Sequence, residues 1–127
     1  MFGTVLVPID RNHEALQAFE KALDLSKSDK SQLIVLLVVL SNRTNFKAED
    51  SFLSLLEQVR ARTLQGGVEC EVIEREGSPA FVICDVADEL NVDVIVMGTG
   101  GMNHEEGSDN EVSRVIELSP CPVLVVP

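Results

Sequence analysis

Tryptophan and tyrosine are absent from this 127-residue sequence, and phenylalanine supplies all five of its aromatic residues. Basic residues are also scarce. Ten lysines and arginines stand against 21 aspartates and glutamates, which gives a formal net charge of -11 at pH 7. Nucleic acids and anionic membranes are bound by clustered lysine and arginine side chains. The imbalance therefore argues against a nucleic acid or a membrane surface as a direct partner.

Long hydrophobic runs are missing as well. The longest uninterrupted apolar stretch, residues 33–40, has eight members, whereas a helix needs roughly 18 to 20 apolar residues to cross a bilayer. The first residues, MFGTVLVPID, contain neither the basic segment nor the small-residue cleavage site of a secretory signal peptide. We therefore expect a cytoplasmic protein with no membrane association.

Cysteine is rare and is not arranged as a metal-binding or redox motif. Cys70, Cys84 and Cys121 are far apart, form no C-x-x-C pair and lie in apolar patterns. We expect them to be buried as small apolar side chains. The two histidines, His13 and His104, have no serine or cysteine nucleophile beside them, so we expect both at the surface without a catalytic role.

The sequence does contain a regular alternation of strand and helix signals. Apolar, β-branched runs predict strands at residues 2–9, 33–40, 93–97 and 121–126, and an alternating pattern predicts another at residues 68–72. Apolar residues at helical spacing predict helices at residues 12–26, 51–65, 79–90 and 108–117. This alternation specifies one open parallel sheet with helices on both faces, the doubly wound α/β class. We expect a single domain over residues 1–127.

The third strand is predicted to lie at an edge of the sheet. Its apolar residues Val68, Cys70 and Val72 alternate with glutamates, so one face of the strand is expected to be exposed to solvent. The Ser78-Pro79 pair that follows predicts the start of the third helix, with the serine as N-cap.

A glycine-rich turn, Gly98-Thr99-Gly100-Gly101, follows the fourth strand. Bare backbone N–H groups just ahead of a helix are a common geometry for binding phosphate. In doubly wound sheets, ligands bind beyond the C-terminal ends of the strands, where the strand order reverses. Neither the dinucleotide-binding motif G-x-G-x-x-G nor the P-loop motif G-x-x-x-x-G-K-[ST] occurs in the sequence.

Four segments of the chain resemble the universal stress protein family. They are VPID at residues 7–10, LIVLLVV at residues 33–39, GSPAFVICDVADELNVDVIVMGTGG at residues 77–101, and SPCPVLVVP at residues 119–127. The resemblance covers essentially the whole chain. It implies four helices on a five-stranded sheet of order 3-2-1-4-5, the adenine-nucleotide alpha-hydrolase-like fold. It also implies a homodimer that pairs through the last strand, at Val123, Leu124, Val125 and Val126. Such an apolar edge strand is otherwise prone to aggregate.

The resemblance further implies a nucleotide site at the C-terminal ends of the strands. In family members that bind ATP, the adenine and ribose meet the ends of the first two strands. The phosphates lie on a pattern written G-x-x-G, nine residues, then G-S or G-T. Carried onto this sequence, the site comprises Pro8, Ile9, Asp10, Val38, Met97, Gly98, Gly101, Ser108, Asp109 and Asn110.

The second half of that phosphate pattern is absent at the family spacing. Nine residues beyond Gly101 the chain has a Glu-Val pair, and an alignment from the C terminus places Asp109-Asn110 there instead. A Gly-Ser pair does occur at residues 107–108. However, Ser108 and Glu111 also form the S-x-x-E pattern of a capping box, which would occupy the amides that a phosphate needs.

Acidic residues crowd the same loop at Glu105, Glu106, Asp109 and Glu111. Two unit charges 4 Å apart near a protein surface interact by about 4 kcal/mol, whereas a helix N-terminus attracts an anion by about 0.3–1 kcal/mol. This predicts a degenerate crevice without ATP. A bound Mg²⁺ ion, with Asp10 as one ligand, would restore part of the attraction for ATP, and AMP or cyclic AMP would be repelled less.

Our interpretation is a small, non-catalytic stress-response or signalling domain, dimeric and cytoplasmic, with a protein or a small nucleotide as its partner. Two alternatives stay open. The first is a member that binds ATP, AMP or cyclic AMP and hydrolyses ATP slowly, which needs a base and cations at the phosphates. Arg114 is the only cation close in sequence. The second is an interaction module whose acidic face meets a basic protein.

Overall fold

The computed structural model describes residues 3–9, 14–39, 46–98 and 111–127. Strands and helices alternate along these ranges, which confirms the predicted order of elements. They are β1 (Thr4–Ile9), α1 (Glu14–Asp29), β2 (Gln32–Val39), α2 (Phe46–Gly66), β3 (Cys70–Glu76), α3 (Pro79–Glu89), β4 (Val94–Gly98), α4 (Glu111–Leu118) and β5 (Val123–Val126). None of the helices within these ranges is long and apolar enough to cross a membrane.

The five strands form one parallel sheet in the order β3-β2-β1-β4-β5. β1 pairs with β2 up to Ile9 beside Leu37, and β4 pairs with β5 up to Gly98 beside Val126. β3 lies at one edge, as its alternation with glutamates predicted, and β5 lies at the other. The strand order implied by the family resemblance is confirmed.

Helices cover both faces of the sheet. α1 and α2 lie over one buried cluster, which includes Val5, Val7 and Phe19, and α3 and α4 lie over another, which includes Leu6 and Ile83. Successive residues of β1 enter opposite clusters because the side chains of a strand point alternately to the two faces. Both faces of β1 are therefore buried, which explains why its sequence is a continuous apolar run.

Three local features differ from the prediction. α2 begins at Phe46 rather than at residue 51, because the lysine, alanine and glutamate that follow Phe46 are strong helix formers. The helical spacing of the apolar residues in α4 predicts that Val112, Val115 and Ile116 face inward, but Ile116 is 54 % exposed and the short α4 buries only Val112 and Val115. Ser78 does precede α3 in an extended conformation, but its side chain makes no capping hydrogen bond with the described residues.

The hydroxyl of Ser26 is a buried polar group inside α1. The residue is 1 % exposed, and its Oγ atom has no hydrogen-bond partner among the described residues. An unsatisfied buried hydroxyl costs about 1–3 kcal/mol, and alanine is the better helix former. We therefore expect Ser26→Ala to raise the free energy of unfolding by about 1 kcal/mol in urea denaturation. Ser28→Ala, at an exposed position of the same helix, should change it by less than about 0.5 kcal/mol. A loss of stability in Ser26→Ala would contradict the argument.

Candidate functional site

The strand order reverses at β1. The chain passes from β1 to β2 and β3 on one side, then crosses over to β4 and β5 on the other side. α1, which follows β1, and α4, which follows β4, lie on opposite faces of the sheet, and such a reversal of strand order is where doubly wound sheets bind ligands. In this chain the position lies between Ile9 at the end of β1 and Gly98 at the end of β4.

Hydrogen-bonded pairing between β1 and β4 stops before the two strands end. It consists of Val5 beside Val94 and Leu6 beside Ile95. On their other sides, β1 stays paired with β2 and β4 stays paired with β5 to their last residues. Within the described strands, residues 7–9 and residues 96–98 therefore face each other without a ladder. We call this unpaired region, at the C-terminal ends of the two strands, the β1–β4 crevice.

Half of the residues implied by the family resemblance lie at this end of the sheet. Pro8 and Ile9 end β1, Val38 is near the end of β2, and Met97 and Gly98 end β4. The side chains of Val38 and Met97 pack on the same face, beneath α3 and α4. Ile9 is only 1 % exposed and packs on the opposite face, beneath α1. The side chain of Ile9 is therefore not available to a ligand.

The remaining predicted site residues lie outside the described part of the chain, as do both histidines and the acidic loop. These site residues are Asp10, Gly101, Ser108, Asp109 and Asn110. Beyond the loop, the chain is described from Glu111, an exposed residue in the first turn of α4. A carboxylate in a first turn interacts favourably with the positive end of the helix. It therefore competes there with any phosphate.

The cysteines do not form a reactive centre. Within the described ranges, no group of three or more histidine, cysteine, aspartate or glutamate residues is placed to hold a metal ion. Cys84 is buried as predicted, and Cys70 and Cys121 are half-buried. Burial raises the pKa of Cys84, with a smaller contribution from the negative charge of Asp85, and burial likewise raises the pKa of Cys70. Both thiols stay protonated at neutral pH, as side chains used for packing do.

The outer edge of β5 presents backbone groups that the sheet does not use. The amide of Ile95 donates to the carbonyl oxygen of Pro122 at 3.0 Å. Backbone groups alternate sides along a strand. Leu124 and Val126 therefore direct their N–H and C=O groups toward β4, and Val123 and Val125 direct theirs away from the sheet.

Apolar side chains are exposed on this edge strand and on the helix before it. Leu124 of β5 is 41 % exposed, and on α4 Ile116 is 54 % and Leu118 is 47 % exposed. β5 itself carries no charged residue, in contrast to β3 at the other edge, which carries three glutamates and an arginine. Charge on an edge strand discourages further pairing, and an uncharged apolar edge permits it.

The parallel order 3-2-1-4-5, the helices on both faces and the crevice at the switch point define an α/β protein of the adenine-nucleotide alpha-hydrolase-like fold. The sequence profile described as "Universal stress protein family" matches residues 1–127. Universal stress protein Sll1654 of Synechocystis sp. is 46 % identical over 136 residues, which cover 100 % of this chain and 87 % of that relative. The chain belongs to the universal stress protein family.

Two solved structures share the fold. A universal stress protein in complex with cAMP has a TM-score of 0.82 at 20 % identity, covering 99 % of this chain and 97 % of its own. A universal stress protein family protein from Arabidopsis thaliana with AMP bound has a TM-score of 0.74 at 24 % identity, covering 97 % of this chain and 90 % of its own. At these identities the likeness is one of fold.

Proposed function

We propose that this chain is a cytoplasmic, non-catalytic stress-response or signalling protein. Its β1–β4 crevice takes a small adenine nucleotide of low charge, AMP or cyclic AMP, in preference to ATP, and residues 1–127 act as one domain. The observation that carries the proposal is the early end of β1–β4 pairing at the switch point, where doubly wound folds bind nucleotides. Proteins of the same fold with cAMP and with AMP bound support it.

The proposed site combines the ends of three neighbouring strands. We assign the adenine and ribose to the ends of β1 and β2, at Pro8, Asp10 and Val38, and a phosphate to Gly98 and Gly101. Val38 and Met97 already share a face of the sheet, so an adenine ring at that face would meet apolar side chains. The segment 108–110 would then lie beside the phosphate, immediately ahead of α4.

Charge is the reason for a preference against ATP. The chain carries a formal charge of -11, and Glu105, Glu106, Asp109 and Glu111 follow the glycine turn in the sequence. Two like charges 4 Å apart near a surface repel by about 4 kcal/mol. ATP carries more negative charge than AMP or cyclic AMP, so the repulsion falls chiefly on ATP.

Isothermal titration calorimetry with AMP, cyclic AMP and ATP, each with and without Mg²⁺, tests the preference. We expect the monophosphates to bind at least about tenfold more tightly than metal-free ATP, a difference of about 1.4 kcal/mol. The double variant Glu105→Gln/Glu106→Gln should narrow this gap by strengthening ATP binding, with AMP affinity nearly unchanged. Metal-free ATP binding as tightly as AMP in the wild-type protein, or no binding of any nucleotide, would overturn the proposal.

The rival function is slow ATP hydrolysis with Asp10 among the ligands of Mg²⁺. Phosphoryl transfer needs a positioned base and cations at the phosphates, and α4 offers Arg114 alone as a cation. We expect no phosphate release above a protein-free control. Release that scales with protein concentration and is lost in Asp10→Asn would favour the enzyme.

We further propose a homodimer that pairs through β5. Identical edges related by a two-fold axis pair antiparallel. Val123 and Val125 direct their backbone groups outward, and we place the axis at Leu124 because both residues of each copy are then paired. Val123 of one copy would then exchange hydrogen bonds with Val125 of the other, and the two exposed Leu124 side chains would face each other at a close, non-hydrogen-bonded position.

A further inference from the structure

Pro8 occupies the central strand of the sheet, a place that proline rarely takes. Proline has no backbone N–H, so inside a sheet it is found at edges and bulges, where no ladder hydrogen bond is lost. β1 has β2 on one side and β4 on the other. A proline in β1 therefore removes a hydrogen bond from one of these two ladders.

The backbone directions of β1 show that the loss falls on β4. The carbonyl oxygen of Gly3 accepts from the amide of Gln32 at 3.0 Å, on the β2 side. Backbone groups alternate sides along a strand. The N–H and C=O groups of the odd-numbered residues of β1 therefore point toward β2, and those of Leu6 and the C=O group of Pro8 point toward β4. Consistent with this, pairing with β2 continues undisturbed past Pro8 to Ile9.

The register identifies the group that loses its donor. Val5 lies beside Val94 and Leu6 beside Ile95, so residue 7 comes opposite Val96. If the parallel ladder continued with this register and alternation, the amide of residue 8 would donate to the carbonyl oxygen of Val96. Val96 is 0 % exposed, and residue 8 offers it no donor. The ladder stops immediately before the missing bond.

We propose that Pro8 is a positioning residue that ends the β1–β4 ladder and leaves the Val96 carbonyl oxygen without a strand donor, as a buried hydrogen-bond acceptor at the base of the β1–β4 crevice. Any other residue at position 8 would supply the missing amide and extend the ladder toward the ends of the strands. A ligand that enters the crevice would then have to break that bond. The role in ligand binding rests on the nucleotide site of the proposed function, whereas the effect on pairing rests on the described strands alone.

The variant Pro8→Ala tests both parts. By amide hydrogen exchange and NMR, we expect the new amide of residue 8 to exchange at least about 100-fold more slowly than an unstructured amide and to show a scalar coupling to the Val96 carbonyl. By calorimetry, we expect the Kd for AMP to rise about 2- to 12-fold, the equivalent of one net hydrogen bond. Pro122→Ala is the matched control. It makes the same change ahead of β5, at the opposite end of the sheet, and should leave AMP affinity unchanged.

The possible failures are distinguishable. A fast-exchanging amide at residue 8 would overturn the effect on pairing. A protected amide with an AMP affinity changed by less than twofold would overturn the positioning role. Absence of AMP binding to the wild-type protein would defeat the proposed function and the positioning role together, while the exchange measurement still decides the effect on pairing. Pro8→Val restores the same N–H group with a β-branched side chain and serves if Pro8→Ala does not fold.

Discussion

Replacing Val125 with proline is expected to convert the proposed dimer into monomers. The N–H group of Val125 points away from the sheet, so its loss leaves the pairing of β5 with β4 intact. In a two-fold pair the loss counts twice, and each carbonyl oxygen left without its donor costs about 1–3 kcal/mol. The dissociation constant of the dimer should therefore rise by about 30-fold to 20,000-fold. Sedimentation velocity over a range of protein concentrations measures it.

The opposite edge of the sheet provides a matched control. The amide of Leu33 donates to the carbonyl oxygen of Glu69 at 2.9 Å. The backbone groups of the odd-numbered residues of β3 therefore point toward β2, and the amide of Val72 points away from the sheet. Val72→Pro therefore makes the same substitution at an equivalent outward position of the other edge. We expect it to leave the dimer intact. A wild-type monomer, or equal dissociation in both variants, would contradict pairing through β5.

Phe19→Ala is expected to lower the free energy of unfolding by about 3–5 kcal/mol, because the ring fills the core and its removal leaves a cavity. Phe19 is 0 % exposed and lies in the cluster between α1 and the sheet. A domain of this size has only about 5–15 kcal/mol of stability in total, so the variant would lose a large share of it. Urea denaturation followed by circular dichroism measures the change.

Phe81→Ala is the control for this prediction, since it removes the same side chain from a position on α3 that is 52 % exposed. We expect it to cost less than about 1 kcal/mol. If the two variants lost similar stability, packing of α1 on the sheet would not be the dominant contribution assigned to Phe19. If both were nearly neutral, the core beneath α1 would not be close-packed.

The elements of the fold were predictable because their signals are local. The apolar run at residues 33–40 predicted a strand, and β2 (Gln32–Val39) is that strand, with residues 33–37 buried. The glutamates between Val68, Cys70 and Val72 predicted an edge strand, and β3 lies at an edge. In each case the spacing of the apolar residues within the strand indicates which of its faces are buried.

Side-chain exposure on the helices was less predictable, because it depends on how wide a stripe the neighbouring sheet covers. Ile116 follows Val112 at helical spacing and has an apolar side chain, yet it is 54 % exposed. The sequence of α4 alone does not indicate which of its apolar residues the sheet covers and which it leaves exposed. An apolar residue left outside the core in this way is also a candidate for an interface.

The candidate site was likewise predictable from the sequence only in part. From the sequence alone, the apolar runs determined the strands, their order along the chain determined the doubly wound class, and the family resemblance singled out Pro8 and Gly98 as site residues. Only the tertiary structure decided that β1 lies between β2 and β4, that the missing amide of Pro8 faces β4, and that Val96 is the residue left without its donor. The physical reason is that hydrophobic periodicity is a property of neighbouring residues, whereas the partner of a backbone amide depends on strand order and register, which are set by long-range packing of the whole sheet.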